Sequence, residues 1–422
     1  MKKEWESKTI LVYDIGGCYT SFAQRLARDF AHVLYFTNWK SAFPSSNHAI
    51  VGEGLDEIER ILDFWDYIDS ADIFFFTDCY DGDLQEYLVS IGKRVWGARR
   101  GDELELDRMG TVNLMKKLGL PTPEVEVVKG LPALRSYLKE NEDIYVKVSK
   151  FRNDFETFGS KSYKVVEPVL DELEHRLGAI KYIEEFLCFK GIDAVCETGL
   201  DTYTIDGKYP QKTLYGFEIK DCGYAGKVQQ YKDLSPLLTD FNTKIADTFK
   251  FYNYRGFFST EIRVTKDKTP YMIDLTTRLP SPPSELMQEM FSNLGEIIWH
   301  GANGEMIEPQ FTATHGIEII IRSEWAHKNW QAIYFPEEIA NFVKLKNATN
   351  IKGAYYFVPQ LGVEMSEIGA VVATGNSLDE CEEKVKEYIS KIEGYDLHMN
   401  TDGIMSKLQK QIESAESVGI KF

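Results

Sequence analysis

The sequence lacks the patterns of a disulfide-framed or zinc-bound protein. Its six cysteines (Cys18, Cys79, Cys188, Cys196, Cys222 and Cys381) contain no CxxC pair and its seven histidines no HExxH. A reducing, cytosolic setting is expected, without a structural zinc. Basic charge is also short: 48 Lys and Arg stand against 66 Asp and Glu, a formal net charge of -18. That balance disfavours duplex nucleic acid and anionic membranes, and a small anionic ligand would need local cations. No apolar run approaches the roughly 20 residues of a spanning helix. The opening "MKKEWESKTI" is charged where a secretion signal needs an apolar core. Internal repeats and low-complexity tracts are missing as well.

What is present is a globular mixture, 43% apolar and 27% charged. At 422 residues the chain is too long for one compact core, so two or three domains are expected. "TILVY" ends at "DIGG" and is followed by Phe22, Leu26 and Phe30 at helical spacing, which reads as strand, glycine turn and helix. With "HVLYFT", "ADIFFFTD" and a helix over "LDEIERILDFWDYI", residues 1–104 read as a doubly wound α/β domain. "GDELELDRMGTVNLMKKLGLPTPE" predicts one helix with Leu106, Met109, Val112, Met115 and Leu118 on a face, stopped by Gly119, Pro121 and Pro123. Strand-rich text from "DIYVKVSK" to "PYMIDLT" predicts a mainly antiparallel region, residues 105–304. A smaller α+β domain over 305–422 includes "HGIEIIIRS", "IGAVVATG" and a helix opened by a Ser377 to Glu380 capping box.

One hairpin carries chemistry. In "STEIRVTKDKTPYMIDLTTR", residues 259–278, a two-residue turn at Asp267-Lys268 sets Glu261 directly opposite Asp274. Opposed like charges destabilise a sheet by a few tenths to about 1 kcal/mol, so a compensating cation is expected, Mg2+ being the natural one. A solvated hairpin whose acids pair with Lys266, Lys268 or Arg263 is the plainer alternative. By strand alternation Asp274 shares a face with Met272, Thr276 and Arg278. Arg278 would grip a carboxylate or phosphoryl oxygen bidentately, or else form a structural pair with Glu285 or Asp274.

The order "LGLPTPE", "DIYVKVS", "YIEEFL", "EIRVTKDKTPYMIDLTTR" and "IGAVVATGNSLDECEEKVKEYISKI" resembles the ATP-grasp superfamily, in particular its phosphoribosylamine-glycine ligase branch, over most of the chain. The resemblance implies antiparallel sheets clamping ATP, and an ATP-dependent ligation of a carboxylate to an amine through an acyl phosphate, releasing ADP. It implies phosphate contacts from Lys147 and from Arg108, which stands where many members have lysine. Lys161 belongs to the phosphate loop of residues 151–163, which departs from the glycine-rich pattern. The adenine hinge falls on Glu184, Glu185, Phe186 and Leu187, and the ribose acid on Asp193. The metal set is Glu261, Asp274 and Thr276, with threonine in place of the usual asparagine, holding Mg2+ or Mn2+. Arg278 faces the acyl group. From the residues alone, Lys147 snorkelling to the surface and Asp193 as a plain turn acid are the other readings.

The substrate-specific segments differ from that branch: "DIGGCYTS" and "CGYAGKVQQY" replace its phosphate turn and glycine-rich segment. Small-molecule carboxylate and amine partners are expected, with their identity open, and a homodimer as the commonest assembly. The Gly16-Gly17 turn would bind a substrate anion or simply turn the chain. Two rivals remain: a nucleotide-binding module that has lost ligation, and an oxidoreductase, for which the GxGxxG spacing fails.

Overall fold

The structure is a computed structural model describing residues 3–37, 50–148, 157–220, 222–360 and 365–422. The apolar runs near the N-terminus form β1 (Thr9–Tyr13), β2 (His32–Phe36), β3 (Glu59–Arg60), β4 (Ile73–Phe76) and β5 (Arg94–Trp96). They make a parallel sheet in the order β3-β2-β1-β4-β5, with α1 (Thr20–Leu26) and α2 (Gly82–Ser90) as connections. The helix expected over residues 55–68 does not form. Glu59 and Arg60 instead extend the sheet beside β2, Arg60 Nε donating to the Val51 carbonyl at 2.9 Å, and only a 3-10 turn follows at Trp65–Tyr67. Pairing with an open sheet edge outweighs local helix propensity, which differs by only a few tenths of a kcal/mol per residue.

The helix expected after residue 102 is two helices, α3 (Glu103–Leu106) and α4 (Arg108–Lys117). Asp107 leaves helical geometry between them, at φ -94 and ψ 79, and accepts the Gly110 N–H at 2.9 Å as an N-cap. The break turns Glu105 and Arg108 toward different partners. A second sheet follows, built from β6 (Val125–Lys129), β7 (Ile144–Val148), β8 (Thr157–Ser160) and β9 (Glu185–Lys190) in the antiparallel order β6-β9-β7-β8. Helices α5 (Leu131–Glu140) and α6 (Tyr163–Leu177) cover one face. Leu131, Leu134, Leu138, Val146, Leu170 and Phe186 form a core of their own there. Each buried aliphatic or aromatic side chain contributes about 1.5–3 kcal/mol, enough to hold this sheet as a separate jaw.

The opposing jaw comprises β10 (Ala194–Ile205), β11 (Lys212–Ile219), β12 (Gly223–Gln230), α7 (Pro236–Phe251), β13 (Arg255–Thr265) and β14 (Pro270–Thr276). After α8 (Ser284–Met290) and α9 (Leu294–Gly301) come β15 (His315–Arg322), β16 (Gln331–Ile333), β17 (Val343–Leu345), β18 (Ala348–Ile351), β19 (Ala354–Phe357), β20 (Glu367–Gly375), α10 (Leu378–Ile389) and α11 (Ile404–Ser417). Strands β10-β13-β14 form one sheet, β11-β12-β15-β20-β17 another and β16-β19-β18 a small third. Because β12 pairs with β15, one sheet joins strands from both sides of residue 304. The expected cap of α10 is present, with Ser377 Oγ accepting the Glu380 N–H at 3.2 Å.

Candidate functional site

The alternation of β13 sets Phe258, Thr260, Ile262 and Val264 inward, so Ser259, Glu261 and Arg263 face the other way. Glu261 does lie opposite Asp274, but by a different route from the one expected. A two-residue primed turn needs positive φ at its first central residue, and only Lys268 (φ 66) adopts it. The loop is therefore three residues long, closed by Lys268 N–H to Thr265 O at 2.9 Å and Thr265 N–H to Thr269 O at 3.2 Å. Asp267 accepts both Thr265 and Thr269 hydroxyls and braces it. Val264 pairs with Pro270 and Ile262 with Met272, then a bulge at Ile273 shifts the register by one, and Glu261 meets Asp274 and Ser259 meets Thr276. Two slips cancel.

The bulge changes two details. Met272 joins Leu275 in the core, at 8% exposure, so Asp274 shares its face with Thr276 and Arg278 but not with Met272, and its own side chain stays 39% exposed. The displaced Ile273 carbonyl accepts a hydrogen bond from Lys147 Nζ at 3.1 Å, and that ammonium stands 3.5 Å from Asp274 Oδ2. Lys147 does not snorkel to the surface. It reaches from β7 across to β14, linking the two jaws at the acids. Its neighbour across the strand is Leu187, so the lysine and the Glu184–Leu187 segment share one sheet.

Electrostatics at this point favour a cation. Burial, then Glu197, then Asp274 push the Glu261 carboxyl up to about 8, while Lys147 pulls the other way. Glu197, on β10, is hydrogen-bonded to Glu261 but also accepts from Arg263 Nε at 2.8 Å and lies 3.5 Å from Lys220 Nζ. Despite its burial it therefore stays ionised, and the shared proton sits on Glu261. Among the described residues no three His, Cys, Asp or Glu side chains form a ready metal cage. Two facing carboxylates with a neighbouring hydroxyl, Thr276, fit Mg2+, which takes few protein oxygens and completes its shell with water and phosphate.

Arg278 is anchored by acids the sequence did not nominate. Its Nε lies 3.1 Å from Glu105 Oε1 and 3.5 Å from Asp78 Oδ1, where the alternative reading of a structural pair names Glu285 or Asp274. Glu105 is 3% exposed and also accepts the Thr277 N–H at 2.6 Å. The α3–α4 break supplies this contact. Arg108 uses the other side of the break, donating to the Val148 carbonyl at the end of β7.

Glu261, Asp274, Thr276 and Arg278 line one cavity of about 690 Å³ between the two sheets of the second jaw, with α11 at its rim through Lys407 and Lys410. Lys147 touches this group through Asp274. Glu184 is buried, its N–H bonded to the Ile180 carbonyl and its carbonyl to the Gly130 N–H. Lys161 and Asp193 lie on exposed turns away from the cavity lining, and residues 151–156 of the expected phosphate loop lie outside the described residues. The cavity also contains Glu197, Asp201, Glu218, Ser259 and Tyr224. Glu197 and Asp201 share a strand parity in "AVCETGLD", a readable signal. Burial pushes the Asp201 carboxyl up to about 7, against a hydrogen bond from Ser259 and with help from Glu218.

The chain after the "DIGG" turn is braced by Asp14. Asp14 accepts the Cys18 N–H at 3.2 Å, the Tyr19 N–H at 2.7 Å and the Tyr35 hydroxyl at 2.7 Å, taking the two amides just before α1. A dinucleotide pyrophosphate would need those same donors.

Two jaws thus meet at a lysine and a facing pair of acids. The sequence matches no family model and no curated protein. The fold matches solved structures. Phosphoribosylamine-glycine ligase from Thermotoga maritima superposes with a TM-score of 0.69 at 15% identity, covering 93% of this chain and 99% of that one. The biotin carboxylase domain of Hydrogenobacter thermophilus 2-oxoglutarate carboxylase, solved with MgADP, ADP and bicarbonate, gives 0.62 at 12% identity, covering 97% and 98%. N5-carboxyaminoimidazole ribonucleotide synthetase from Thermotoga maritima gives 0.57 at 14% identity, covering 92% and 99%. The chain has the ATP-grasp fold.

Proposed function

We propose that the protein is an ATP-dependent ligase that joins a small-molecule carboxylate to an amine through an acyl phosphate, releasing ADP and phosphate. The observation that carries this reading is the convergence of Lys147 from one jaw on Asp274 of the other, with Glu261 opposite and Arg278 in the same cavity. Lys147, Arg108 and Lys161 hold the triphosphate, the Glu184 to Leu187 segment lines the adenine, and Asp193 takes the ribose hydroxyls. Glu261, Asp274 and Thr276 hold Mg2+, which supplies charge neutralisation to the phosphates. Arg278, fixed by Glu105 and Asp78, orients the substrate carboxylate and stabilises negative charge on its oxygens as the γ-phosphoryl group arrives. The chemistry needs no protein nucleophile. The division into 1–104, 105–304 and 305–422 corresponds on this reading to a substrate-side domain, the clamp and a closing domain. A cytoplasmic ligase with Mg2+ or Mn2+ is the consistent setting.

The test is a mass-spectrometric screen of carboxylate and amine pairs with ATP and Mg2+. The expected result is ADP, not AMP, together with a condensed product for at least one pair. Stoichiometric ATP binding with no ADP across a broad panel would instead identify a binding module that has lost ligation.

A further inference from the structure

The large cavity has an end that the ligase roles above leave unassigned. There β10 and β13 set Asp201 directly opposite Ser259, whose hydroxyl donates to the Asp201 carboxylate. Tyr224, on β12, lines the same end at 2% exposure, and its hydroxyl has no hydrogen-bond partner among the described residues. A buried phenol usually finds a partner, so an empty one in a cavity wall marks a place for ligand.

The tyrosine is held in place. Its ring lies in a slot left by two glycines: a Cβ on Gly216 would come within 2.7 Å of Tyr224 Cζ, and one on Gly226 within 2.9 Å of Cε1. Gly216 itself lines the cavity. The phenol is thus preorganised in the wall that also carries Asp201, the charged group that acts on it most strongly.

Charge decides what fits. Asp201, Glu197 and Glu218 all line the cavity, which repels a second anion. Of the cations that line it, Lys220 pairs with Glu197 and Arg278 with Glu105 and Asp78, while Lys407 and Lys410 stand on α11 at the rim. Among the described residues Asp201 has no ion-pair partner. Its complement is a ligand group with positive charge and several N–H donors.

We propose that Asp201, Tyr224 and Ser259 form the subsite that binds the primary amine of the acceptor substrate. A primary ammonium has three N–H donors, enough for the Asp201 carboxylate and the Tyr224 hydroxyl together. This inference rests on the ligase reading for its role but not for its chemistry, because amine binding is measurable without turnover.

The test is ligand-observed NMR on the full chain with MgADP present. The probes are methylamine, ethanolamine and glycinamide, with tetramethylammonium as a control of equal charge and no N–H. The primary amines are expected to bind and tetramethylammonium not. Asp201→Asn should weaken them at least about tenfold, the loss of a charge-assisted contact. Tyr224→Phe should weaken them about threefold, the loss of one neutral hydrogen bond. MgADP affinity should be unchanged in both. Thermal melts accompany the titrations, and if Asp201→Asn does not fold, Tyr224→Phe carries the test, since it removes only an oxygen that has no partner. Equal binding of tetramethylammonium, unchanged amine affinity in the folded variants, or weakened Mg2+ with unweakened amine would each overturn the proposal. Amine binding retained without MgADP binding would remove the ligase reading and leave the subsite standing.

Discussion

Replacing Glu197 with glutamine tests the electrostatics of the metal site. Glu261 is held protonated by burial and by the ionised Glu197 beside it, its carboxyl raised to about 8. At pH 7 most Glu261 side chains then carry a proton, and binding a cation must displace it. The apparent Mg2+ affinity should rise about 50-fold from pH 6 to pH 8 and flatten above, with close to one proton released per ion at pH 7. Glu197→Gln removes the charge but leaves the burial, so the Glu261 carboxyl falls only part of the way. Glu197 is about a third exposed (34%), so screening trims the effect. A gain in Mg2+ affinity at pH 6.5 of up to about tenfold, one pKa unit, is expected. Stability follows the same sign: a carboxyl raised on folding favours the fold when protonated, and that contribution is lost as pH climbs from the ordinary carboxylate range through about 8. The metal-free protein should melt lower at pH 8.5 than at pH 6, and Mg2+ should restore it. Calorimetric Mg2+ titration with ADP present, in buffers of different ionisation enthalpy, reads the proton count. Affinity that stays flat from pH 6 to 8 with no proton released would refute the reasoning.

Three further substitutions probe other parts of the site. Asp274→Asn should lower turnover at least about 100-fold, the scale of several kcal/mol of charge stabilisation, and undiminished Mg2+-dependent ADP release would remove Asp274 from the metal site. Lys147→Met should weaken ATP binding about tenfold or more by deleting a charge-assisted phosphate contact, read by equilibrium titration. Glu105→Gln should destabilise the fold by about 3 kcal/mol, because the Arg278 guanidinium loses a nearly buried partner, and should raise KM for the carboxylate. Denaturant unfolding and steady-state kinetics check the two effects, and a variant as stable as the parent contradicts the anchoring role.

The hairpin was legible from local alternation, but the facing of Glu261 and Asp274 came out as expected only because the longer loop and the bulge each shift the register by one and cancel. The bulge at Ile273 was not legible, since it is fixed by Lys147, 126 residues away, taking the displaced carbonyl. For the same reason Glu105 and Asp78 were not read as the acids that hold Arg278. Glu105 sits in "ELEL", which carries no local hint that its carboxylate meets a backbone amide 172 residues later. Asp14 was equally hidden: glycines announce a turn, but only the fold shows which carboxylate takes the amides that follow it. Glu197 was within reach of alternation along "AVCETGLD", whereas the lone Tyr224 hydroxyl needed the packing of Gly216 and Gly226.

The central claim is that a carboxylate is activated by phosphorylation in the cavity shared by Glu261, Asp274 and Arg278. The most direct measurement uses the carboxylate that scores in the screen, labelled with ¹⁸O in both oxygens, and follows the label by mass spectrometry. Ligation through an acyl phosphate predicts one ¹⁸O in each released phosphate and the other in the amide product. Phosphate that carries no label while ADP accumulates would contradict the account.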